Sequence, residues 1–343
     1  MMDHSILESF LRQDEKYRIL FRELGNGTAV HAYLITGEKG TGKKTLAGLM
    51  AEALLCTSDG TRPCGACRNC ALCEKGEHPD LTVIEKGNPI APGVRKDRTT
   101  IPVEDIREMI RLCGIRSSGG NRRAVLIRDA DKMTVQAQNC LLKTLEEPPS
   151  DTYIILTTDH PESILTTISS RCRPIRTGAF EDEYILSVLE KQHVSGARAA
   201  DAVSLSGGSV GKALELASDD DYWKMREEVA DIFFRTTSRS AILKISNDWK
   251  DRKQDADTLL SILESLVAML TDARYGTTRK TDLSAFPEQW RRFSANASGD
   301  RFVLLADTIS AARKQLQFST NFQAVLEKII FTFMGEGSKW LQS

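Results

Sequence analysis

The apolar positions in the first half of the chain follow two kinds of pattern. Short runs rich in Val, Ile, Leu and Tyr predict buried strands, whereas stretches with apolar residues at every third or fourth position predict helices. The runs that predict strands are His31–Thr36, Leu81–Glu85, Ala124–Asp129 and Thr152–Thr158. The stretches that predict helices between them are Lys44–Leu55, Val103–Cys113 and Thr134–Glu147. Strands that alternate with helices predict an α/β domain with a parallel sheet.

The pattern changes at about Phe180, beyond which only helical spacing is found. Three short helices are predicted there, at Glu183–Gln192, Arg198–Leu205 and Val210–Ala217. A longer all-helical region follows at Trp223–Leu341, and one further helix, Ile6–Leu24, precedes the first strand. We therefore predict an α/β plus all-α protein. Its three predicted domains are residues 1–179, 180–220 and 221–343.

A glycine-rich segment follows the first predicted strand directly. Residues 37–45 (GEKGTGKKT) match the phosphate-binding pattern G-x-x-x-x-G-K-[ST] up to its last position, where Lys44 replaces Ser or Thr. Lys43 would reach the outer phosphates of a nucleotide, but the hydroxyl that holds Mg²⁺ is missing. The glycines that would let backbone N–H groups surround a phosphate are Gly37, Gly40 and Gly42.

Charge and hydropathy narrow the classes of function. Lys plus Arg (46) nearly balances Asp plus Glu (47), so the formal net charge is −1 and strong binding of DNA by bulk charge is not expected. No apolar run reaches the length of about 18 residues that would indicate a membrane span. The N-terminal sequence MMDHSILESF does not resemble a secretion signal. We therefore expect a cytoplasmic protein without a membrane span.

Eight cysteines are present, and five of them crowd into residues 56–73. Cys56 comes first, and the other four follow the spacing C-x2-C-x2-C-x2-C: Cys64, Cys67, Cys70 and Cys73. In a reducing cytoplasm such clustering favours metal binding over disulfides. Thiolates suit tetrahedral Zn²⁺ or an iron–sulfur cluster, and without an adjacent redox-cofactor motif structural zinc is favoured. Five thiols are thus candidates for four positions.

Two motifs in the α/β region resemble one known family. The run LLKTLEEPP at Leu141–Pro149 and the tripeptide at residues 170–172 (SRC) resemble clamp-loader subunits of the AAA+ ATPase class. The similarity extends from about His31 to Leu216. A cysteine-rich insert directly after the P-loop helix is typical of the bacterial branch, and the compact length resembles the delta-prime more than the tau/gamma subunits of DNA polymerase III. The resemblance implies an AAA+ P-loop domain with a zinc insert, a small helical lid domain and a helical collar domain.

Active members of this family carry groups that this chain lacks. Their strand at Ala124–Asp129 ends in Asp-Glu, which serves the metal and the attacking water, but here Asp129 is followed by Ala130. Their lid helix begins with Gly-Ser-x-Arg, and here Gly211 stands at the arginine position. Together with Lys44, these departures predict little turnover, because phosphoryl transfer needs metal, oriented water and charge neutralisation together.

A degenerate nucleotide site is the remaining implication for the P-loop. Thr158 retains the family's polar sensor position at the end of its strand. The residues that would form the site are Gly37, Gly40, Gly42, Lys43, Lys44, Thr45, Asp129 and Thr158. Binding of ATP or ADP is one alternative, and a loop that only shapes the strand–helix junction is the other.

The resemblance also gives roles to one arginine and to the cysteines. In the family, the arginine of the Ser-Arg-Cys motif enters the nucleotide site of the neighbouring subunit, so Arg171 is expected to act there as an arginine finger. The family's zinc ligands are one cysteine at the end of the P-loop helix and then C-x2-C-x2-C. These map onto Cys56, Cys64, Cys67 and Cys70, with Cys73 as the alternative fourth ligand.

The function implied is that of a non-hydrolysing, stator-like clamp-loader subunit that helps to load the sliding clamp onto primed DNA during replication. Its expected partners are tau/gamma and delta subunits in a hetero-oligomeric ring, with the clamp and primer-template DNA contacted through the complex. An ATP-hydrolysing tau/gamma-like subunit is the alternative, in which Thr45 would supply the metal hydroxyl. A P-loop nucleotide kinase or a zinc-ribbon DNA-binding module is a third possibility, against which the LLKTLEEPP and SRC motifs argue.

Overall fold

The computed structural model describes residues 4–115, 122–235, 239–276, 288–317 and 321–334. The chain divides into two compact units, Met1–Glu215 and Leu216–Ser343. The predicted domain boundaries at 179/180 and 220/221 stay predictions, because the division into two units falls at neither of them. Residues 180–215, most of the predicted small helical domain, belong to the first unit. Parts of the predicted C-terminal helical region, at 277–287 and 335–343, lie outside the described residues.

The first unit is built on a five-stranded sheet in which all neighbouring strands are parallel. Its strands are β1 (Ala32–Thr36), β2 (Leu81–Ile84), β3 (Arg123–Ile127), β4 (Thr152–Thr158) and β5 (Arg173–Arg176). The order across the sheet is β2-β3-β4-β1-β5. The predicted α/β class with a parallel sheet is therefore confirmed. The fifth strand was not predicted, because a short segment with proline and two arginines lacks an apolar run, although proline is tolerated in edge strands.

Helices cover both faces of this sheet. Successive side chains of a strand point to opposite faces, so Leu34 of β1 joins the core on one side and Tyr33 and Ile35 face the other. Helix α3 packs on β3 and β4, while α5 and α6 pack on each other. The helices of the first unit are α1 (His4–Gln13), α2 (Glu15–Asn26), α3 (Lys43–Leu55), α4 (Arg68–Lys75), α5 (Val103–Cys113), α6 (Val135–Glu146), α7 (Thr166–Ser169), α8 (Asp182–Lys191) and α9 (Gly196–Ser206). The next helix, α10 (Val210–Ser218), begins in the first unit and ends just beyond Glu215.

The N-terminal segment forms two helices, so the prediction of one helix over Ile6–Leu24 is wrong. Asp14 interrupts it in an extended backbone conformation, and its carboxylate accepts a hydrogen bond from the backbone N–H of Lys16 at 2.9 Å. This is the geometry of an N-cap residue, which satisfies a free N–H group at the start of α2. The apolar spacing continues across the break, which is why periodicity alone missed it.

The second unit is helical throughout the residues described. Its helices are α11 (Asp220–Arg235), α12 (Arg239–Trp249), α13 (Ala256–Tyr275), α14 (Glu288–Asn296), α15 (Gly299–Gln317) and α16 (Phe322–Met334). Its core is centred on α13, where Leu259, Leu263, Leu266 and Leu270 recur at helical spacing and are almost completely buried. None of the described helices is long and apolar enough to cross a membrane.

Candidate functional site

The P-loop connects the end of β1 to the start of α3, at the carboxyl edge of the parallel sheet. This is the edge where ligands bind in open α/β sheets. Gly40 and Gly42 have φ angles of 80° and 77°, in the left-handed region that favours glycine. A Cβ atom on Gly37 would lie 2.2 Å from the hydroxyl oxygen of Thr177, so a side chain is excluded there as well. The loop thus has the tight backbone that the sequence pattern predicts.

Both lysines of the loop form ion pairs within the chain. Lys43 is only 7% exposed, and its Nζ lies 2.6 Å from Oδ1 of Asp159 and donates to the carbonyl oxygen of Glu38 at 2.6 Å. Nζ of Lys44 lies 2.8 Å from Oδ2 of Asp129. Sequence reasoning missed Asp159, although its position directly after the sensor threonine at the end of β4 was a usable signal. Each cation that would face a phosphate therefore already faces a carboxylate.

Two acidic residues, Asp129 and Asp131, lie on either side of Ala130 in the segment after β3. Asp129 adopts a left-handed conformation with φ 52°, which Asp tolerates better than most residues. Ala130 is completely buried in the core beneath the sheet. Asp131 is held elsewhere, because its Oδ1 accepts a hydrogen bond from the hydroxyl of Thr158 at 2.9 Å. The same hydroxyl oxygen accepts the backbone N–H of His160 at 2.9 Å, so the sensor side chain is engaged within the chain.

The start of α10 and the residue before it pack directly on the P-loop. The N–H of Gly211 donates to the carbonyl oxygen of Gly40 at 3.2 Å, and the hydroxyl of Ser209 donates to the carbonyl oxygen of Lys39 at 3.0 Å. A Cβ atom on Gly211 would lie 2.8 Å from Cα of Gly40. The contact is therefore available only to glycine at residue 211, the position at which active relatives are expected to carry the lid arginine.

Two aromatic rings cover the far end of the loop. A Cβ atom on Gly42 would lie 2.9 Å from Cζ of Phe10 and 3.0 Å from Cζ of Phe180, and the two rings meet edge to face with centroids 5.1 Å apart. Both rings are almost completely buried. Sequence reasoning did not assign these residues to the site, because they come from α1 and from the segment before α8, far from the P-loop in the chain.

Thr45 lies one residue beyond Lys44 in α3 and is half-buried. One residue along an α-helix rotates a side chain by about 100°, so the hydroxyl of Thr45 does not point where the side chain of Lys44 points. The local shift required by the alternative ATPase hypothesis would have to unwind the first turn of α3. That turn is anchored, because the N–H of Leu46 donates to the carbonyl oxygen of Gly42 at 2.8 Å.

Four cysteines converge beyond the C-terminal end of α3. The sulfur atoms of Cys56, Cys64, Cys67 and Cys70 all lie within 4.8 Å of one another. The Sγ atoms of Cys56 and Cys67 are 3.9 Å apart, and those of Cys64 and Cys70 are 4.0 Å apart. Tetrahedral zinc with Zn–S bonds of about 2.3 Å requires sulfur separations of about 3.8 Å. This donor set therefore could hold a metal ion such as zinc.

The local backbone supports thiolates at this cluster. Burial opposes ionisation of Cys67, but backbone N–H groups of Cys70 and Thr57 hydrogen-bond its sulfur and lower its pKa to about 6. A hydrogen bond from the backbone of Ala66 lowers the pKa of Cys64. Burial raises the pKa values of Cys56 and Cys70, so these thiols are the ones that would need a cation to ionise.

Cys73 lies outside the group of four converging sulfurs. It is buried on α4, and burial raises the pKa of its thiol to about 12, with the neighbouring Glu52 carboxyl acting in the same direction. The ligand set with Cys56 is thus the one that the structure brings together, and the alternative set with Cys73 is not. The helical conformation of α4 separates Cys73 from the cluster by a further turn.

Arg171 is exposed two residues after the end of the short helix α7. Cys172, the next residue, is buried in the core beneath the sheet, and Ile168 in α7 is buried there too. These two anchors fix α7 on the protein and leave the arginine facing outward. Nη2 of Arg171 lies 2.6 Å from Oε1 of Glu146, and Nη1 donates to the carbonyl oxygen of Thr167 at 2.8 Å.

A buried glutamine of α6 hydrogen-bonds the segment that leads into α7, the short helix before Arg171. Its role was not predicted from the sequence. Gln138 is only 3% exposed. Its amide nitrogen donates to the carbonyl oxygen of Ser163 at 3.1 Å, and its amide oxygen accepts the N–H of Leu165 at 2.8 Å. Because Leu165 directly precedes α7, the glutamine sets the position at which that helix begins.

Comparison with known proteins gives a consistent assignment. A family model described as DNA polymerase III, delta subunit, matches residues 12–181. DNA polymerase III subunit delta' of Bacillus subtilis (strain 168) is 28% identical over 328 residues, which cover 93% of this chain and 95% of that protein. The subunit delta' of Escherichia coli (strain K12) is 29% identical, over 92% of this chain and 91% of that protein.

A tau subunit is also similar, but along a smaller part of its own length. DNA polymerase III subunit tau of Salmonella typhimurium is 28% identical over 90% of this chain, and the match covers 50% of that protein. The delta' relatives match along nearly their whole length. The chain therefore resembles subunits of DNA polymerase III over nearly its whole length, and its similarity to the delta' subunits extends over nearly the whole length of those proteins as well.

Proposed function

We propose that this clamp-loader subunit is a stator that hydrolyses no ATP itself and donates Arg171 to the nucleotide site of a neighbouring ATPase subunit. The observation that carries the first half of this proposal is the closure of the P-loop by the chain's own groups. Two carboxylates neutralise its lysines, and the backbone of Gly211 lies against Gly40. Bound phosphates would have to displace all of these contacts.

Hydrolysis needs more than a place for phosphate. A metal ligand, a group that orients the attacking water and positive charge must act together. Here the first position is Lys44, which pairs with Asp129, and the second is Ala130, whose methyl group is buried in the core. The third is Gly211, which has no side chain. Removal of three contributors supports negligible turnover by this chain and makes ATP or ADP a weak ligand.

The second half of the proposal rests on the exposure of Arg171. A guanidinium offers five N–H donors in a planar fork, and this one is attached to a buried scaffold through Cys172. Arginine fingers supplied by a partner increase phosphoryl-transfer rates by about 10³- to 10⁵-fold in well-studied GTPases. A subunit that keeps such a group while its own site is closed is suited to act on a neighbour.

The rest of the assembly follows from the family. We propose that the chain works in the cytoplasm, in a ring with tau/gamma and delta subunits, and that this ring places a sliding clamp on primer-template DNA during replication. We further propose that zinc occupies the four-cysteine cluster of Cys56, Cys64, Cys67 and Cys70 as a structural ion. Such a site would tie the segment after α3 to α4 and would take no part in the reaction.

The test measures ATP hydrolysis by the isolated chain and by a clamp-loader complex reconstituted with ATP-hydrolysing partner subunits. We expect no turnover from the isolated chain and a sharp fall in kcat of the complex with Arg171→Ala. Arg176→Ala is the matched control, because Arg176 is an exposed arginine on the neighbouring strand β5. Mg²⁺-dependent turnover by the isolated chain, together with a normal complex carrying Arg171→Ala, would favour the tau/gamma-like alternative.

A further inference from the structure

We propose that Glu146 is a positioning residue that orients the guanidinium of Arg171 for the neighbouring nucleotide. This inference rests on the proposed function of Arg171. The contact is between Oε1 of Glu146 and Nη2 of Arg171, at 2.6 Å. It joins the last residue of α6 to the second residue after the end of α7. Nothing in the sequence motifs alone pairs these two residues, since one belongs to LLKTLEEPP and the other to SRC.

The location of Glu146 is fixed by helix α6. The hydroxyl of Thr134 caps the start of this helix, where it accepts the N–H of Ala137 at 3.2 Å. At the other end, Pro148 and Pro149 prevent the helix from continuing. The carboxylate of Glu146 therefore projects from the final turn of a helix whose two ends are both defined. An acidic side chain is unfavourable beside the negative end of a helix, and the guanidinium neutralises it there.

The guanidinium is thus held at two points within its own chain. Glu146 engages Nη2, while the carbonyl oxygen of Thr167 accepts from Nη1. A long arginine side chain that is free in solvent loses rotamer entropy when it is fixed. Restraint of Arg171 before the partner arrives reduces that loss at the moment of catalysis. The carboxylate contact sets the plane of the guanidinium and leaves its other N–H donors for phosphate oxygens.

The pair is also weak enough to yield to a nucleotide. The side chains of Glu146 and Arg171 are 50% and 36% exposed, and ion pairs between exposed groups contribute little to stability because solvent screens them. A terminal phosphate that carries more charge than one carboxylate can therefore share or take over the guanidinium. Glu146 acts through Arg171 and does not itself approach the reacting atoms.

The experiment compares Glu146→Ala, Glu146→Gln and Arg171→Ala in the reconstituted complex, with full-length chain in every case. Glu147→Ala is the matched control, because it removes the same charge from the adjacent exposed position. We expect Glu146→Ala to lower kcat by about 3- to 10-fold with an unchanged KM for ATP, because misorientation affects the transition state and not ground-state binding. Glu146→Gln retains an oxygen that accepts the hydrogen bond and should keep most of the activity.

The double variant Glu146→Ala/Arg171→Ala should be no worse than Arg171→Ala, because a positioning residue has no effect once its target is gone. The proposal would be overturned if the double variant showed the added kcat defects of both single variants. It would also be overturned if Glu146→Ala had a normal kcat while Arg171→Ala was impaired. Both results would leave the finger role of Arg171 intact. Normal kcat for Arg171→Ala would overturn both the finger and its positioning. Gel filtration of the complex with each variant shows that a loss of kcat is not a loss of assembly.

Discussion

Replacement of Lys43 by methionine tests whether this P-loop lysine stabilises the fold and takes no part in catalysis. In an ATPase, Lys43→Met would abolish turnover, because the ammonium neutralises charge on the outer phosphates. Here the ammonium is paired with Asp159 and bonded to the carbonyl oxygen of Glu38. We therefore expect Lys43→Met to destabilise the first unit and to leave ATP hydrolysis by the reconstituted complex unchanged.

The size of the destabilisation follows from the burial of the two partners. Loss of one member of a fully buried pair costs about 3–5 kcal/mol, whereas exposed pairs contribute about 0–1 kcal/mol. Lys43 is 7% exposed and Asp159 is 36% exposed, so the abandoned carboxylate can recover part of its hydration. We expect the free energy of unfolding to fall by about 2–3 kcal/mol, between those two limits.

Hydrogen exchange of peptides from β1 and β4 is the appropriate assay. All four tryptophans lie at or beyond Trp223, so tryptophan fluorescence would report on the second unit instead. A loss of 2–3 kcal/mol corresponds to exchange that is about 30- to 150-fold faster for amides that exchange through global opening of the unit. Asp159→Asn added to Lys43→Met should restore part of the protection, because it removes the unpaired carboxylate.

Two results would refute this reasoning. Unchanged exchange in β1 and β4 would mean that the ion pair contributes nothing to the stability of the first unit. A large fall in turnover by the complex, with assembly intact, would mean that Lys43 acts on a nucleotide after all. Asp159→Asn alone is the control, since it removes the same pair from the other side.

Three further predictions concern the cysteine cluster, the lid contact and pH. Cys67→Ser should abolish binding of one zinc ion per chain and lower the Tm, whereas Cys73→Ser should retain the metal; zinc content by mass spectrometry distinguishes them. Gly211→Arg should separate the lid turn from Gly40 and lower the Tm without creating ATPase activity, and measurable turnover by that variant would contradict the proposed stator role. Burial lowers the pKa of His78 in the folded chain, so the unfolded chain binds more protons as the pH falls through about 6.5. The free energy of unfolding should therefore decrease as the pH falls through that point. His78→Gln should flatten this pH dependence, which urea denaturation at several pH values measures.

The sequence by itself determined the sheet, most of the helices around it and the composition of the candidate sites. Four strands were predictable because parallel strands buried on both faces need continuous apolar runs. The P-loop was predictable because only glycine tolerates its backbone angles, and the cysteine cluster was predictable because its spacing suits one metal ion. These features depend on residues close together in the chain, where local propensity and spacing carry the information.

Some sequence predictions failed where a single contact outweighed a local pattern. Strand β5 (Arg173–Arg176) has no apolar run and exists because β1 offers it a free edge to pair with. The predicted helix Ile6–Leu24 is divided because the side chain of Asp14 satisfies a backbone donor within it. In both places a specific hydrogen-bond partner decided the structure, and periodicity does not report such partners.

The tertiary structure alone decided what the candidate site can do. The carboxylate of Asp159 neutralises Lys43, the backbone of Gly211 meets Gly40, and Glu146 holds Arg171. The partners in these contacts come from different elements, and the two glycines lie far apart in the chain. Lys43 and Asp159 meet because parallel strands place their carboxyl ends at one edge, where the segments after β1 and β4 come together. Glu146 and Arg171 precede β4 and β5, so they meet at the amino ends of those strands. The residue types were visible in the sequence, but their distances from one another were not.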